Sequence, residues 1–499
     1  MTYREVDRAV SALANGLRNA GLERGDRVGI FLEPSLPQAV SIFAASRANA
    51  VFVPINHLLY PEQVAHIMAD CEVKALLTTR ERLSDLARVL ERVRSLSFIV
   101  GVGGGAPAAP ALPVYDYDVL AAAAPSPLPD LGIDKDLAAI LYTSGSTGKP
   151  KGVMLTHAQI LAGASIVSTY LEIAENERIL VVLPFSFDAG LNQIMTAFRQ
   201  GATTVLLNFA LAREIVQALA AERITGLAGV PTLWTLLAQS QSTLQKTPLP
   251  RLRYITNTGG AMPQTVLAVL RKALPATQIY LMYGLTEAFR STYLPPEELE
   301  RRPTSIGKAI PNTEILLVNE HGRPCKPGEV GELVHRGPTV SLGYWGRPEL
   351  TSKVLRPHPF LEPELRDGER VCYSGDLVKA DEEGFLYYVG RRDTMIKSSG
   401  YRISPTEVEE VLFQSGRVLG AAAIGVADEI LGQHVKAYVV AKDGEPPDPE
   451  GLIAFCQERM PRYMVPRAIE YVDELPKTPS GKVDYPALRR REPAGALSP

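Results

Sequence analysis

Apolar residues recur first with a helical and then with a strand period at the start of the chain. Val6, Val10, Leu13 and Leu17 are spaced by three or four residues, which predicts a helix, and Gly21 is placed to end it. The next apolar stretches predict a strand, a helix and a second strand, at residues 28–32, 37–48 and 51–53. Alternating helices and strands are typical of a layered α/β fold.

A glycine-rich segment, GVGGG, follows a further predicted strand at residues 97–100. A strand that leads into G-x-G is typical of a dinucleotide-binding fold, in which a long helix comes next. Residues 106–113 instead read APAAPALP, and a segment with three prolines does not form such a helix. We therefore predict a flexible loop at this point.

The C-terminal part of the chain has the pattern of a separate small domain. Ser404 and Glu407 form a capping box with Pro405 at the first helical position, which predicts the start of a helix. Two strands and a second helix are predicted to follow, near residues 421–426, 434–441 and 452–460.

Composition limits the function classes. The chain has 499 residues, of which 46% are apolar, enough for about three domains of roughly 150 residues. A formal net charge of -3 argues against nucleic-acid binding driven by phosphate neutralisation. Its four cysteines form no CxxC pair, which fits a reducing compartment and gives no zinc signature. The N-terminus lacks a secretory apolar region, and no apolar run approaches the ~20 residues of a membrane span, so we expect a soluble, cytoplasmic protein.

The segment YTSGSTGKPKG, residues 142–152, has the composition of a loop that binds polyphosphate. Glycines let backbone N–H groups approach an anion, hydroxyls donate to phosphate oxygens, and Lys149 and Lys151 supply positive charge. It is not a Walker A loop, because only two residues separate Gly145 from Gly148 and Pro150 follows the first lysine. Pro150 also disfavours a helix directly after the loop. The alternative interpretation is a polar surface turn.

The order of these residues resembles the phosphate loop of the adenylate-forming superfamily, which holds acyl-CoA synthetases, peptide-synthetase adenylation domains and luciferases. Further motifs of that superfamily follow in the same order: NTGGA at 257–261, YGLTE at 283–287, YSGD at 373–376, GRRD at 390–393, SGYR at 399–402 and KTPSGKVD at 477–484. The resemblance covers nearly the whole chain. It implies a large, multi-subdomain α/β adenylation domain at 1–392 and a small, mobile α+β domain at 393–499.

The resemblance also assigns the nucleotide site. Tyr283 is expected to offer its ring to adenine, Thr286 to bond the α-phosphate, and Glu287 to bind Mg²⁺, a hard cation that also touches substrate phosphates. Asp376 and Arg391 are expected to reach the ribose. The complete set of implied nucleotide contacts is Thr143, Ser144, Gly145, Ser146, Thr147, Gly148, Lys149, Lys151, Gly259, Gly260, Ala261, Tyr283, Gly284, Thr286, Asp376, Arg391 and Arg402.

The C-terminal motifs are expected to act at different steps. Lys482 matches the lysine that stabilises charge during adenylation, with Thr143 and Glu287 as the other implied catalytic residues. Ser399 and Gly400 match positions that line the pantetheine tunnel of acyl-CoA synthetases. Asp393 matches the hinge between the domains.

The acyl pocket is predicted from Phe187, Asp188, Asn192 and Arg290. Phe187-Asp188 resembles the Phe-Asp of amino-acid adenylation domains, where the aspartate bonds the substrate ammonium. The alternative is that Asp188 caps the helix that follows. If residues 188–192 are helical, Asn192 shares the face of Asp188.

The function predicted from the sequence is ATP-dependent, AMP-forming ligation of a carboxylic acid to coenzyme A, with ATP, Mg²⁺ and CoA as cofactor and co-substrates. One alternative is loading of an acyl or amino acid onto the phosphopantetheine of a separate carrier protein. Another is a non-catalytic nucleotide-binding relative, against which Lys149, Glu287, Asp376 and Lys482 argue. More narrowly, the chain resembles the acyl-CoA ligase branch found beside exosortase A systems.

Overall fold

The computed structural model describes residues 1–104, 112–124, 126–129, 131–144, 150–366, 368–392, 394–398, 401–428, 431–442, 445–478 and 481–492. The flexible loop predicted after the strand at 97–100 lies largely outside these ranges. None of the helices within them combines the length and apolar character needed to cross a bilayer.

The strands of the described ranges form four sheets. The first has the order β5-β4-β3-β1-β2-β6-β7 and is parallel except for the β6–β7 pair. Its strands are β1 (Arg27–Phe31), β2 (Val51–Pro54), β3 (Val73–Thr79), β4 (Phe98–Val102), β5 (Val114–Asp116), β6 (Leu137–Ser144) and β7 (Pro150–Thr156). The second has the order β14-β13-β12-β11-β10-β8-β9, with β12, β13 and β14 antiparallel. Its strands are β8 (Arg178–Val181), β9 (Thr203–Leu206), β10 (Gly226–Gly229), β11 (Tyr254–Asn257), β12 (Gln278–Leu285), β13 (Ala288–Leu294) and β14 (Lys308–Ala309).

The other two sheets are smaller and mostly antiparallel. The third contains β15 (Glu314–Val318), β16 (Gly331–Arg336), β17 (Leu355–Pro357), β18 (Arg370–Ala380) and β19 (Leu386–Arg391). The fourth contains β20 (Ile396–Ser398), β21 (Tyr401–Ile403), β22 (Val418–Asp428), β23 (Gly432–Ala441) and β24 (Ala468–Tyr471). The change of sheet between Arg391 and Ile396 brackets the predicted domain boundary, which stays a prediction.

The α-helices of the described ranges are α1 (Tyr3–Asn19), α2 (Leu36–Arg47), α3 (Pro61–Asp70), α4 (Arg82–Leu90), α5 (Tyr117–Ala122), α6 (His157–Tyr170), α7 (Asp188–Gln200), α8 (Ala212–Ala221), α9 (Pro231–Ala238), α10 (Gln264–Ala273), α11 (Pro348–Val354), α12 (Pro363–Arg366), α13 (Pro405–Gln414), α14 (Pro449–Gln457) and α15 (Tyr485–Arg491). Short 3₁₀ turns occur at Ser240–Ser242, Leu244–Lys246 and Pro296–Glu298.

The predicted α/β fold with a small C-terminal domain is confirmed. A large core lies between the first two sheets, where α1, α2, α6 and α7 bury their apolar faces. Other cores cover the outer faces of these sheets, with α3 and α4 on the first and α8, α9 and α10 on the second. The C-terminal sheet has its own core under α13 and α14.

The elements predicted at both ends of the chain are present. Thr2 and Glu5 make a reciprocal capping box that starts α1. At the other end, Ser404 caps α13 by accepting a hydrogen bond from the N–H of Glu407, and Pro405 is the first helical residue.

Candidate active site

The two ends of the phosphate-loop segment, residues 142–144 and 150–152, lie on the paired strands β6 and β7. Thr143 faces Lys151 across the hairpin, and Pro150 begins a strand rather than a helix, as predicted. Thr143 Oγ1 is buried and has no hydrogen-bond partner in the described part of the chain. Buried polar atoms are nearly always paired, so an unpaired hydroxyl fits a group that meets a ligand.

Glu287 lies in the tight turn between β12 and β13, where its side chain is 13% exposed. The hydroxyl of Tyr344 donates to Glu287 Oε1 at 2.6 Å, and Lys151 Nζ donates to that hydroxyl at 2.6 Å. Burial and then the charge of Glu287 raise the pKa of Tyr344, so the hydroxyl stays protonated and donates. Sequence reasoning missed Tyr344, because a tyrosine so far along the chain carries no local signal.

The Glu287 carboxylate is a suitable partial ligand for Mg²⁺. In the described ranges no three His, Cys, Asp or Glu side chains gather into a metal cage. A cation that uses one carboxylate, substrate phosphates and waters is the arrangement that Mg²⁺ prefers. Thr286 lies next to Glu287 in the same turn, and Gly284 lies in β12 just before it.

Asp376 is held from two sides. The hydroxyl of Tyr283 donates to Asp376 Oδ2, and Arg391, its cross-strand partner on β19, lies 3.3 Å from Oδ1. The Asp376 side chain is only 7% exposed. Burial, followed by the charge of Asp376, raises the pKa of Tyr283 well above its ordinary value. The predicted adenine and ribose contacts are therefore joined by a hydrogen bond.

His335 packs against Tyr283, which the sequence did not indicate. Its ring stacks on that of Tyr283, with centroids 6.1 Å apart and planes at 15°. Both ring nitrogens are buried without partners among the described residues. Burial lowers the pKa of His335 to about 3, so the ring is neutral at physiological pH.

Gly259 lies next to Lys482, although the two residues are far apart in sequence. It follows β11 with φ of +81°, and Asn257 Nδ2 donates to the carbonyl of Gly260 at 2.9 Å to hold the turn. A Cβ placed on Gly259 would lie 3.4 Å from Cε and 4.0 Å from Nζ of Lys482. The structure thus places the C-terminal lysine against the predicted adenine segment, which continues to Ala261.

Lys482 is carried by a tight turn. The N–H of Thr478 donates to the Lys482 carbonyl at 2.7 Å, and the N–H of Gly481 donates to the Thr478 carbonyl at 2.8 Å. Gly481 has φ of +78°, a conformation that favours glycine.

The predicted acyl pocket is only partly assembled. Asn192 and Arg290 line one internal cavity with Thr258, while Phe187 and Asp188 are not among its lining residues. Asp188 is the first helical residue of α7, and Phe187 is its N-cap, without a capping side-chain bond. The prediction that Asp188 caps the helix is therefore wrong. Its role toward a substrate amine stays a prediction.

Several predicted site residues lie outside the described ranges. They are Gly145, Ser146, Thr147, Gly148, Lys149, Asp393, Ser399 and Gly400, together with the side chains of Ser144 and Arg402. Their predicted roles stay predictions.

The cysteines provide no activated nucleophile. Burial raises the pKa of Cys71 to about 12 and those of Cys325 and Cys456 to about 11, and it raises the pKa of Cys372 well above its ordinary value. All four are therefore thiols at neutral pH, in line with a structural role.

Comparison with known proteins identifies the family. A family model described as AMP-binding enzyme matches residues 1–345, and a model of the AMP-binding enzyme C-terminal domain matches residues 407–482. The chain belongs to this family. The predicted place in the adenylate-forming superfamily, as an AMP-forming acid–thiol ligase, is confirmed.

Individual relatives match along nearly the whole chain. The chain is 36% identical to feruloyl-CoA synthase of Amycolatopsis sp, over 98% of this chain and 94% of that protein. It is 31% identical to a linear gramicidin synthase of Brevibacillus parabrevis, over 98% of this chain but 9% of that protein. Among solved structures, the anthranilate CoA ligase AuaEII in complex with anthranoyl-AMP has a TM-score of 0.88 at 27% identity, covering 98% of this chain and 92% of that one.

Proposed function

We propose that this protein is an ATP-dependent acyl-CoA ligase. In the first step a substrate carboxylate oxygen attacks the α-phosphorus of ATP, and pyrophosphate leaves with the electrons of the broken P–O bond. In the second step the sulfur of CoA attacks the acyl carbonyl, and AMP leaves. No protein nucleophile is required, because positioning and charge stabilisation support both steps.

The observation that carries this proposal is the contact between Lys482 and Gly259. Charge builds on phosphate oxygens as the carboxylate attacks, and a preorganised cation stabilises that charge. The contact brings an ammonium from the C-terminal domain to the segment expected to border adenine. Tyr283 and Asp376 would hold the adenine and ribose of the same nucleotide.

Mg²⁺ would bind at Glu287. The cation would neutralise phosphate charge and orient the leaving pyrophosphate. Tyr344 and Lys151 orient the Glu287 carboxylate until the cation binds. Thr143 and Thr286 then offer hydroxyls to phosphate oxygens.

Coenzyme A is the thiol that the relatives favour. Feruloyl-CoA synthase and the anthranilate CoA ligase match this chain over almost their entire lengths, and both names specify CoA. The linear gramicidin synthase matches over a small part of its length, as one segment of a much longer chain. Transfer to a separate carrier protein is the less supported alternative.

The test is a broad panel of carboxylic acids scored by pyrophosphate release, first without and then with CoA. We expect a slow, single-turnover release without CoA for the correct acid, and multiple turnovers with formation of its thioester when CoA is added. Acyl-adenylate formation without any thioester, on addition of CoA, would contradict the proposed acceptor. Absence of pyrophosphate release with every acid would contradict the proposed reaction.

A further inference from the structure

Arg290 places a positive charge inside the internal cavity that Asn192 and Thr258 also line. It lies on β13, three residues after Glu287, and is only 6% exposed. The cavity is otherwise lined mainly by apolar side chains, with the polar side chains of Asn192, Gln193, Thr196, Thr256 and Thr258 among them.

The backbone at Arg290 forms a β-bulge, which affects the direction of its side chain. Tyr283 pairs with Thr292 and Leu285 pairs with Phe289, so Arg290 and Ser291 together stand opposite Gly284 in a β-bulge. Arg290 has φ of +86°, which is strained for a residue with a side chain. Bulges redirect side chains, and strain of this kind concentrates at functional sites.

The guanidinium lacks a counter-charge in the described part of the chain. No carboxylate there lies within 4.0 Å of it, and its one hydrogen bond is a long one, from Nη1 to Thr258 Oγ1 at 3.4 Å. Nε is buried without a partner among these residues. Arginine does not deprotonate in proteins, and a buried charge is unfavourable unless it is paired.

The neighbouring polar groups increase the need for an acceptor. Asn192 Oδ1 accepts from Thr196 at 3.2 Å, whereas its Nδ2 is a buried donor without a partner in the described ranges. Gln193 contributes a neutral acceptor, its unpaired Oε1, which cannot balance a guanidinium charge. A substrate ammonium would be repelled here, and a plain hydrocarbon chain would leave Arg290 unpaired.

We propose that the acid activated by this enzyme carries a second carboxylate, which pairs with Arg290 and accepts further hydrogen bonds from Asn192 and Thr258. The proposal rests on the proposed function, since the first carboxylate is the one that attacks ATP. Arg290 is then the residue that selects a dianionic over a monoanionic acid.

The test is ATP–pyrophosphate exchange with succinate, glutarate and isophthalate, each compared with its monomethyl ester. The ester keeps one carboxylate and nearly the same shape, so it isolates the second charge. We expect kcat/KM to favour the diacid of the best pair by at least ~100-fold, because an unpaired buried charge is strongly unfavourable. In Arg290→Met this preference should fall to less than ~5-fold, through loss of diacid activity and with the ester rate unchanged or higher.

Whether the Arg290→Met variant is correctly folded is checked independently by adding ATP and measuring thermal stability. ATP should stabilise the variant as it stabilises the wild type. Equal wild-type rates with diacids and esters would overturn the inference while leaving the proposed function intact. An equal loss with both substrates in Arg290→Met would also overturn it, by assigning Arg290 to the reacting carboxylate. If the broad panel of acids gives no pyrophosphate release at all, the proposed function fails and this inference fails with it.

Discussion

The side chain of Lys482 packs against Gly259, so that the C-terminal part of the chain contacts the predicted nucleotide site. Because Gly259 has no side chain, the lysine stem can approach the turn closely. Under the proposed function, this contact suits the first half-reaction. The second half-reaction requires no charge at this point once the adenylate has formed.

Lys482→Ala should therefore lower adenylation by at least ~10²-fold, the typical effect of removing one preorganised donor to a developing oxyanion. Thioester formation from supplied acyl-adenylate and CoA should be nearly unchanged. The matched control is Lys477→Ala, which removes an exposed lysine at the start of the same loop. Near-normal pyrophosphate release by Lys482→Ala would contradict the assigned role.

Gly259→Ala should slow adenylation through the same contact. An alanine Cβ would lie 3.4 Å from Lys482 Cε and would adopt an unfavourable positive φ. Gly322→Ala is the control, because Gly322 has φ of +72° but no atoms within 4 Å of a new Cβ. Both variants should lose about 1 kcal/mol of unfolding free energy, while only Gly259→Ala should reduce the rate of pyrophosphate release several-fold. Equal rates in the two variants would show that the Lys482 contact is unimportant.

The structure brings together several residues that the sequence marks by contiguous motifs, although their roles stay predictions. The hairpin that carries Thr143 and Lys151, the Glu287 turn, and the Tyr283 and Asp376 positions are each marked by a motif. The fold could be predicted for a similar reason. Apolar residues that recur every two positions in a strand, or about every three and a half positions in a helix, indicate which face of the element is buried.

Residues brought in singly by long-range pairing could not be predicted. Tyr344 and His335 reach the site through contacts with Glu287 and Tyr283, far away in sequence, and neither has a distinctive neighbourhood. The strain at Arg290 depends on a register shift between β12 and β13, which only the paired strands reveal. Asp188 does not line the cavity that Asn192 and Arg290 line, and its dipeptide resemblance could not indicate this, so its role toward a substrate amine stays a prediction.

Tyr283→Phe should weaken ATP binding. The change removes the hydroxyl that donates to the nearly buried Asp376, and hydrogen bonds to charged groups are worth about 1.5–3 kcal/mol. We expect KM for ATP to rise at least ~10-fold with a smaller change in kcat, because Asp376 loses the group that fixes its position. Tyr387→Phe is the control, since Tyr387 also donates to an aspartate, Asp381, at 3.1 Å, but outside the site. Similar KM values in the two variants would contradict a role for the Tyr283–Asp376 bond in nucleotide binding.

His335 should make the stability of the protein sensitive to acid. Its pKa is about 3 in the folded state, against an ordinary value of 6.5, so between these values the unfolded chain binds a proton that the folded protein excludes. Stability should therefore be intact above pH 6.5 and should fall as pH decreases toward 3, by up to ~1.4 kcal/mol per pH unit from this residue alone.

His335→Gln cannot take up that proton, so its unfolding free energy should decline less steeply than that of the wild type. Urea unfolding followed by tryptophan fluorescence at pH 7, 6 and 5 measures the difference. His321→Gln is the control, because the His321 side chain is 74% exposed and should leave the slope unchanged. Parallel slopes for the wild type and His335→Gln would contradict the prediction, because they would mean that His335 takes up a proton as readily in the folded protein as in the unfolded chain.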